Sequence, residues 1–382
     1  MAEGNELHPT QPPLVNQECQ VNIFSEINLR ETTFICNRFI YTDRCDAEIQ
    51  VDIATTSRIL MTNNSIKKDK SCGTVKRSFQ DQFTETKSQE FAGFSSIIND
   101  NDLLDLAGLS FSNFEFLISK LTVIKCTVSM KDRLLIFLMK MKTGLTFSAL
   151  SVLFGIHRTT ISRIFYSILK NLASVTANLV FWPNRAAIRA TMPECFRPDY
   201  INTRVIIDCT EFRIEVPSAV DNSVLCYSHY KKGFTAKVLI GITPSGFISF
   251  KSKVAGGRKS DSQMTVESGL IDLLEAGDEV LADKGFPAIK EVLDKSGKKV
   301  KIIMPPFLSK QNEFSQEETE RTYDIARVRI HVERIMQRLR IYRVLDKIPH
   351  NLFNYIDDIV HVCCVLVNLQ PPIFSKKNTV RE

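Results

Sequence analysis

The chain has 382 residues, of which 44% are hydrophobic and 24% charged, and a formal net charge of +6. That balance excludes fibrous and wholly disordered classes, and the length exceeds what one hydrophobic core usually serves, so two folded units and a tail are expected. A mild positive excess points to a partner only where the charges cluster, and here they do cluster.

The ten cysteines include no C-x-x-C pair, and Cys363 and Cys364 adjoin inside an apolar run. This argues against a zinc module and a disulfide framework and predicts a reducing compartment. The opening MAEGNELHPTQPP has no apolar signal core, and the longest uncharged apolar stretch, 359–374, is interrupted by Asn368 and by Pro371-Pro372. Neither secretion nor a membrane span is expected.

Residues 1–100 are rich in Asn, Thr, Ser, Asp and Lys without a sustained period and read as a largely disordered N-terminal segment. Within it KKDKSCGTVKR, 67–77, reads either as a weak, split nuclear-import signal or as a solvated loop. Helical spacing begins at residue 101. NDLLDLAGLSFSNFEFLISKL predicts two short helices, the second with Ser112 as N-cap and Glu115 completing a capping box.

Residues 131–175 keep helical periodicity, broken at Gly144 and Gly155. With Gly155 as the turn of a helix-turn-helix over about 146–166, Ser151 falls where the helices touch and Ile156, Ile161 and Ile164 fall inside. His157, Arg158, Thr159, Thr160 and Arg163 then form the exposed start of the second helix, short polar and cationic groups able to reach base edges and phosphates. The pattern is degenerate, and an ordinary helical hairpin with a glycine turn is the alternative.

After the proline-marked connector FWPNRAAIRATMPECF the period switches toward strands. RVIIDCTEFRIEV is a β-branched run before Pro217, and AKVLIGITPSGFISFKSKV is two strands around a TPSG turn. SDSQMTVESGLIDLLEAG reads as a helix capped by Asp261 or a neighbouring serine. DEVLADKGF reads as a short strand into a glycine turn, PAIKEVLDKSG as a helix, and KVKIIMPPF as a strand stopped by two prolines. A long helical tract comes last. Three strands, helix, strand, helix, strand, helix is the order of an α/β ribonuclease-H-like (retroviral-integrase-like) domain with a mixed sheet. The expected organisation is a polar region at 1–100, an all-α helix-turn-helix region at 101–182, the α/β catalytic domain at 200–374 and a tail at 375–382.

Three acids stand at informative places in that order. Asp208 follows Val205-Ile206-Ile207 on the first, central strand, Asp283 ends the fourth strand, and Glu333 is the only acid in the arginine-rich run from Arg327 to Arg343. Each has a structural explanation: Asp208 satisfied by backbone amides, Asp283 forming a turn, Glu333 pairing with Arg329 one helical turn away for roughly 0.2–0.5 kcal/mol. In the expected strand order all three meet at one end of the sheet, where unpaired carboxylates repel strongly unless cations neutralise them. Oxygen ligands with open positions suit Mg²⁺ or Mn²⁺. Two such ions activate a water or a DNA 3′-hydroxyl and stabilise the leaving oxygen of a phosphodiester. Arg329, Arg334, Arg338 and Arg340 are the candidates for the DNA phosphates around the cut. His331, two residues from Glu333, points to another face of the helix.

VIIDCTEFRIEVPS, YSHYKKGFTAKVLIGITPSGFISFKSKVAGGRKSD, GDEVLADKGF and ARVRIHVERIMQRLR resemble the DDE superfamily endonuclease domain of PIF/Harbinger-type transposases. LSVLFGIHRTTISRIF resembles the helix-turn-helix that accompanies it, and the resemblance runs from about residue 130 to 374. It places the family's catalytic triad on Asp208, Asp283 and Glu333. It implies metal-dependent cut-and-paste cleavage and joining of double-stranded DNA at transposon ends, in the nucleus. Asp261 matches a further acidic position of the family pattern and is a candidate auxiliary acid, with a helix N-cap as the alternative. Relatives often carry a zinc-dependent DNA-binding module before this region, but Cys19, Cys36, Cys45 and Cys72 lack paired spacing. Cutting two ends in one event requires two active sites, so a homo-oligomer is expected, and some relatives use a second element-encoded protein. A domesticated descendant that binds DNA without cutting it is the second reading.

Overall fold

The computed structural model describes residues 91–373, apart from 123–126, 198, 296 and 307–314. The expectations for 1–90, including the basic run at 67–77, and for the tail at 375–382 lie outside the described residues.

The helical region opens with α1 (Asp100–Ala107), capped by Asn99, whose side chain accepts from the Asp102 N–H. The start of α2 (Phe111–Lys120) differs from the expected one. Its N-cap is Ser110, with no side-chain cap bond, and Glu115 pairs with Lys131 at 2.6 Å instead of closing a capping box. The reason is tertiary. The Phe111 N–H donates to Asp100 Oδ1 at 2.6 Å and its ring meets Phe94 edge-on, which draws the first turn upstream of Ser112.

The next helix, α3 (Met130–Thr143), is buried from Arg133 through Met141 and forms the centre of this layer. It is followed by α4 (Phe147–Phe154), the Gly155 turn, α5 (Arg158–Val175) and α6 (Arg185–Ala190). Gly155 has φ +62, a left-handed conformation in which glycine avoids the Cβ penalty, so the chain turns there as the spacing predicts.

The α/β part runs β1 (Thr203–Ile214), α7 (Val220–Cys226), β2 (Tyr227–Ser228), β3 (Gly233–Ile242), β4 (Ile248–Lys251), β5 (Ala255–Gly256), α8 (Asp261–Glu267) and α9 (Leu270–Leu273). It continues with β6 (Glu279–Leu281), α10 (Ala288–Lys295), β7 (Lys301–Ile303), α11 (Gln316–Arg340), β8 (Lys347–Ile348) and α12 (Ile356–Asn368). The sheet order is β2-β3-β1-β6-β7, with β4 and β5 on β3 and β8 on β1. The central strand β1 is antiparallel to β3 and parallel to β6, which is parallel to β7. This is the ribonuclease-H-like mixed sheet. The TPSG turn closes the β3–β4 hairpin, with the Gly246 N–H donating to Thr243 O at 2.8 Å. The strands β2, β5 and β8 have two residues each and carry no period, and α7 buries no residue that would set one, so the sequence does not announce these elements.

Alternation along β1 divides the interior in two. Ile206, Phe212 and Ile214 share one core with α11, α12 and the helical region, including Phe137, Phe165 and Leu169. Val205 and Ile207 share the other with Met264, Leu270, Ile289 and Leu293 of α8, α9 and α10. Asp208 has the parity of Ile206 and therefore faces the α11 side. The N-terminus of α11 is held by a full capping box between Ser315 and Glu318.

Candidate active site

The parallel register pairs Ile206 with Leu281, so Asp208 and Asp283 lie two residues further on along neighbouring chain segments, at the same end of the sheet. Asp283 occupies the turn after β6 and accepts from the Lys284 N–H at 2.7 Å. Over this face runs α11, anchored by Val328, Val332 and Ile335, which places exposed Glu333 toward Asp208.

Burial pushes the Asp208 carboxyl up to about 7, and the neighbouring Glu333 charge adds to this. Arg329 and the Cys209 backbone N–H act in the opposite direction, and Asp283 raises it further. Asp208 thus lies within electrostatic reach of Glu333, Asp283 and Arg329, groups contributed by two other segments of the fold. Arg329 Nη1 lies 3.1 Å from Asp283 Oδ1, so this arginine reaches across to the strand end and not back along its helix to Glu333. Among the described residues, no group of three or more His, Cys, Asp or Glu stands in a metal-holding arrangement. The acids form an electrostatic cluster without a closed coordination shell.

Asp261 sits on the other face of β1. Its Oδ1 is 3.1 Å from Lys237 Nζ, which is also 3.1 Å from Glu211 Oε1. The cap of α8 is Ser260, whose hydroxyl accepts from the Gln263 N–H, so Asp261 is not the N-cap. A Cβ on Gly285 would come within 2.8 Å of Asp261 Oδ2, so Asp261 packs against the turn that carries Asp283. Sequence reasoning missed Lys237 and Glu211. They are register partners on β3 and β1, a relation visible only once the strands are paired.

In the helix-turn-helix, Ile161 and Ile164 are buried and Ile156 is half-buried, while Arg158, Thr159 and Arg163 are exposed and Thr160 half-buried. His157 is the N-cap of α5: its Nδ1 accepts from the Thr159 N–H and lies 2.9 Å from the Thr159 hydroxyl. On α11, Arg334 and Arg340 are exposed. Arg338 donates to the Pro371 carbonyl at 2.6 Å and Arg329 is engaged by Asp283. His331 is buried against Phe196, with its ring nitrogen 3.6 Å from Cys195 Sγ, on a different face from Glu333. Burial and the Arg334 charge lower its pKa to about 4.

Residues 207–368 match the family described as DDE superfamily endonuclease, and residues 126–177 match the helix-turn-helix of DDE superfamily endonuclease. This part of the chain is a DDE superfamily endonuclease domain preceded by its helix-turn-helix. Among individual proteins, it is similar to Protein ALP1-like of Arabidopsis thaliana, at 22% identity over 262 residues. That alignment covers 63% of this chain and 61% of the relative's length. No solved structure matches. Among the described residues no helix is long and apolar enough to cross a membrane.

Proposed function

We propose that the chain is a metal-dependent DNA endonuclease and transposase of the PIF/Harbinger type. It cuts and joins phosphodiester bonds at transposon ends, with Asp208, Asp283 and Glu333 as its catalytic carboxylates. The observation that carries this reading is the convergence of acids from β1, the β6 turn and α11 around Arg329. An acid as buried as Asp208 beside a like charge is costly unless a cation or a proton offsets it.

The donor set fits a hard divalent ion, since all three groups offer carboxylate oxygen and none offers sulfur or nitrogen. Asp208, Asp283 and Glu333 would hold one or two Mg²⁺ or Mn²⁺ ions. Such ions supply activation of a water or a DNA 3′-hydroxyl and stabilisation of the leaving oxygen. Arg329 sets the position of Asp283 and contributes positive charge beside the scissile phosphate. Exposed Arg334 and Arg340 extend that charge along α11, and Arg338 adds to it beside Pro371. Arg158, Thr159 and Arg163, with Thr160 beside them, address a duplex groove, while His157 fixes the start of their helix. Asp261 acts through the Asp283 turn it packs against. The substrate is double-stranded DNA in the nucleus, handled by a homo-oligomer because two ends require two active sites, with a second element-encoded protein as a further partner.

A domesticated DNA-binding protein without cleavage activity is the second reading. The observation in its favour is the Arg329–Asp283 ion pair, which already neutralises one acid of the triad.

The test is cleavage of a supercoiled plasmid carrying the element's ends, with Mg²⁺ or Mn²⁺, by wild type and Glu333→Gln. Cutting by the wild type alone is the expected result. Binding without cutting by both proteins would favour the domesticated reading, and equal cutting by both would remove Glu333 from the site.

A further inference from the structure

Away from the acids, at the start of the central strand, a cavity of about 240 Å³ lies between α6, the beginning of β1 and the turn before β6. Five residues of extended strand, roughly 17 Å, separate its Thr203 from Asp208. Three arginines line it, Arg185, Arg189 and Arg204, together with Asn202, Thr203 and Asp278.

Arg204 is only 3% exposed, and neither its Nε nor its Nη1 has a hydrogen-bond partner. Asp278 Oδ2 stands 3.7 Å from that Nε, too far for a hydrogen bond. The guanidinium lies 5.0 Å from the Trp182 ring, a cation–π contact that holds it in place. Thr203 Oγ1 is likewise buried without a partner, so two adjacent residues of the lining carry unfilled polar atoms. Leaving such groups unfilled costs about 1–3 kcal/mol each, more for a charged one.

The local charge is positive. Asp278 is the buried acid of the cavity, and it already accepts from Arg185 Nε at 2.8 Å and from the Glu275 N–H at 2.9 Å. Glu275 is exposed at the rim, 3.4 Å from Arg185. Exposed Arg189, also in the lining, donates to Asn202 Oδ1 at 3.0 Å. The cavity exceeds the roughly 30 Å³ share of one water several times over. Planar guanidinium forks match the oxygens of a phosphate group better than any other common anion partner apart from carboxylate.

We propose that this cavity is a phosphate-binding site, with Arg204 and Thr203 as its buried donors and Arg189 as its exposed clamp. The site is independent of the acid cluster and stands whether or not the chain cuts DNA. The phosphate comes either from a nucleic-acid backbone or from a free phosphate or nucleotide.

The experiment uses the full chain. Thermal unfolding is followed in increasing inorganic phosphate and in chloride of matched ionic strength, for wild type, Arg189→Gln, Thr203→Val and the surface control Lys347→Gln. Phosphate is expected to raise the wild-type Tm saturably beyond chloride. Arg189→Gln should weaken the apparent affinity roughly tenfold, Thr203→Val should weaken it measurably, and Lys347→Gln should behave as wild type. Neither substitution removes the buried Arg204–Trp182 contact, so both variants are expected to fold. Equal Tm in phosphate and chloride overturns the proposal, as does an undiminished response in both cavity variants. Duplex binding against salt then separates the sources. A slope reduced by about one in Arg189→Gln assigns the site to a DNA phosphate, whereas an unchanged slope with a lost phosphate response assigns it to a free phosphate or nucleotide.

Discussion

Asp208 is held where its charge is unwelcome. Its surroundings are the core of β1 and α11, Glu333 lies beside it, and its carboxyl is pushed up to about 7. Neutral Asn has nearly the same shape as this carboxylate. Asp208→Asn is therefore expected to stabilise the metal-free protein at pH 8 by about 1–2 kcal/mol, because ionising a carboxyl with a raised pKa costs about 1.4 kcal/mol per pH unit before solvent relaxation. That corresponds to a Tm gain of several degrees, about 2–4 °C per kcal/mol for a chain of this class. Cleavage should be lost in the same variant. Calorimetry showing a lower Tm would make Asp208 a structural acid and undercut its place in the triad.

At the scale of elements, Gly144 and Gly155 were legible as helix breaks from spacing alone, yet their surroundings differ. Both are left-handed, at φ +72 and +62. A Cβ at Gly155 would meet nothing within 4 Å, whereas one at Gly144 would press against the Arg343 carbonyl at 3.3 Å and its Cβ at 3.2 Å. Gly155→Ala should cost only the backbone term of about 1–2 kcal/mol, and Gly144→Ala should cost more. Denaturant midpoints for the two variants check the order, and equal losses would mean that the Arg343 segment yields freely. The start of α2 shows the opposite case. Ser112 and Glu115 have the spacing of a capping box, but the bond from Phe111 to Asp100 decides where the helix begins. Local signals set an element's existence better than its first residue, because one long-range contact can outweigh a cap worth about 1 kcal/mol.

At the scale of the whole molecule, the helical region and the sheet share a hydrophobic core. Phe165 and Leu169 of α5 lie in one cluster with Val360, Cys363 and Cys364 of α12 and with Ile206 of β1. The Tyr166 hydroxyl adds a bond to the Asn351 carbonyl at 3.0 Å. A fragment of residues 200–373 would expose the apolar side of α12 that α5 covers, so it is expected to unfold at a lower temperature and less sharply than the full chain. Circular dichroism on the fragment checks this, and a sharp transition near the full-length Tm would show that the α/β part folds without the helices.

Much of this protein is determined by local pattern. The hydrophobic periods, the glycine turns and the prolines in sequence order specify a helical region followed by an α/β part with β1 at its centre, because helices and strands of several turns or residues bury recurring side chains. The three acids could be singled out on the same kind of local grounds: Asp208 as a charge on an apolar strand, Asp283 as the acid that ends one, and Glu333 as the only acid in an arginine-rich run. Only the tertiary structure decided their partners. It turned Arg329 toward Asp283 in place of Glu333, put Asp261 on the opposite face of β1 with Lys237 and Glu211, and gathered Arg185, Arg189 and Arg204 around a cavity. Those relations join residues far apart in the chain, and electrostatic pairing depends on distance in space, which no spacing along the sequence encodes.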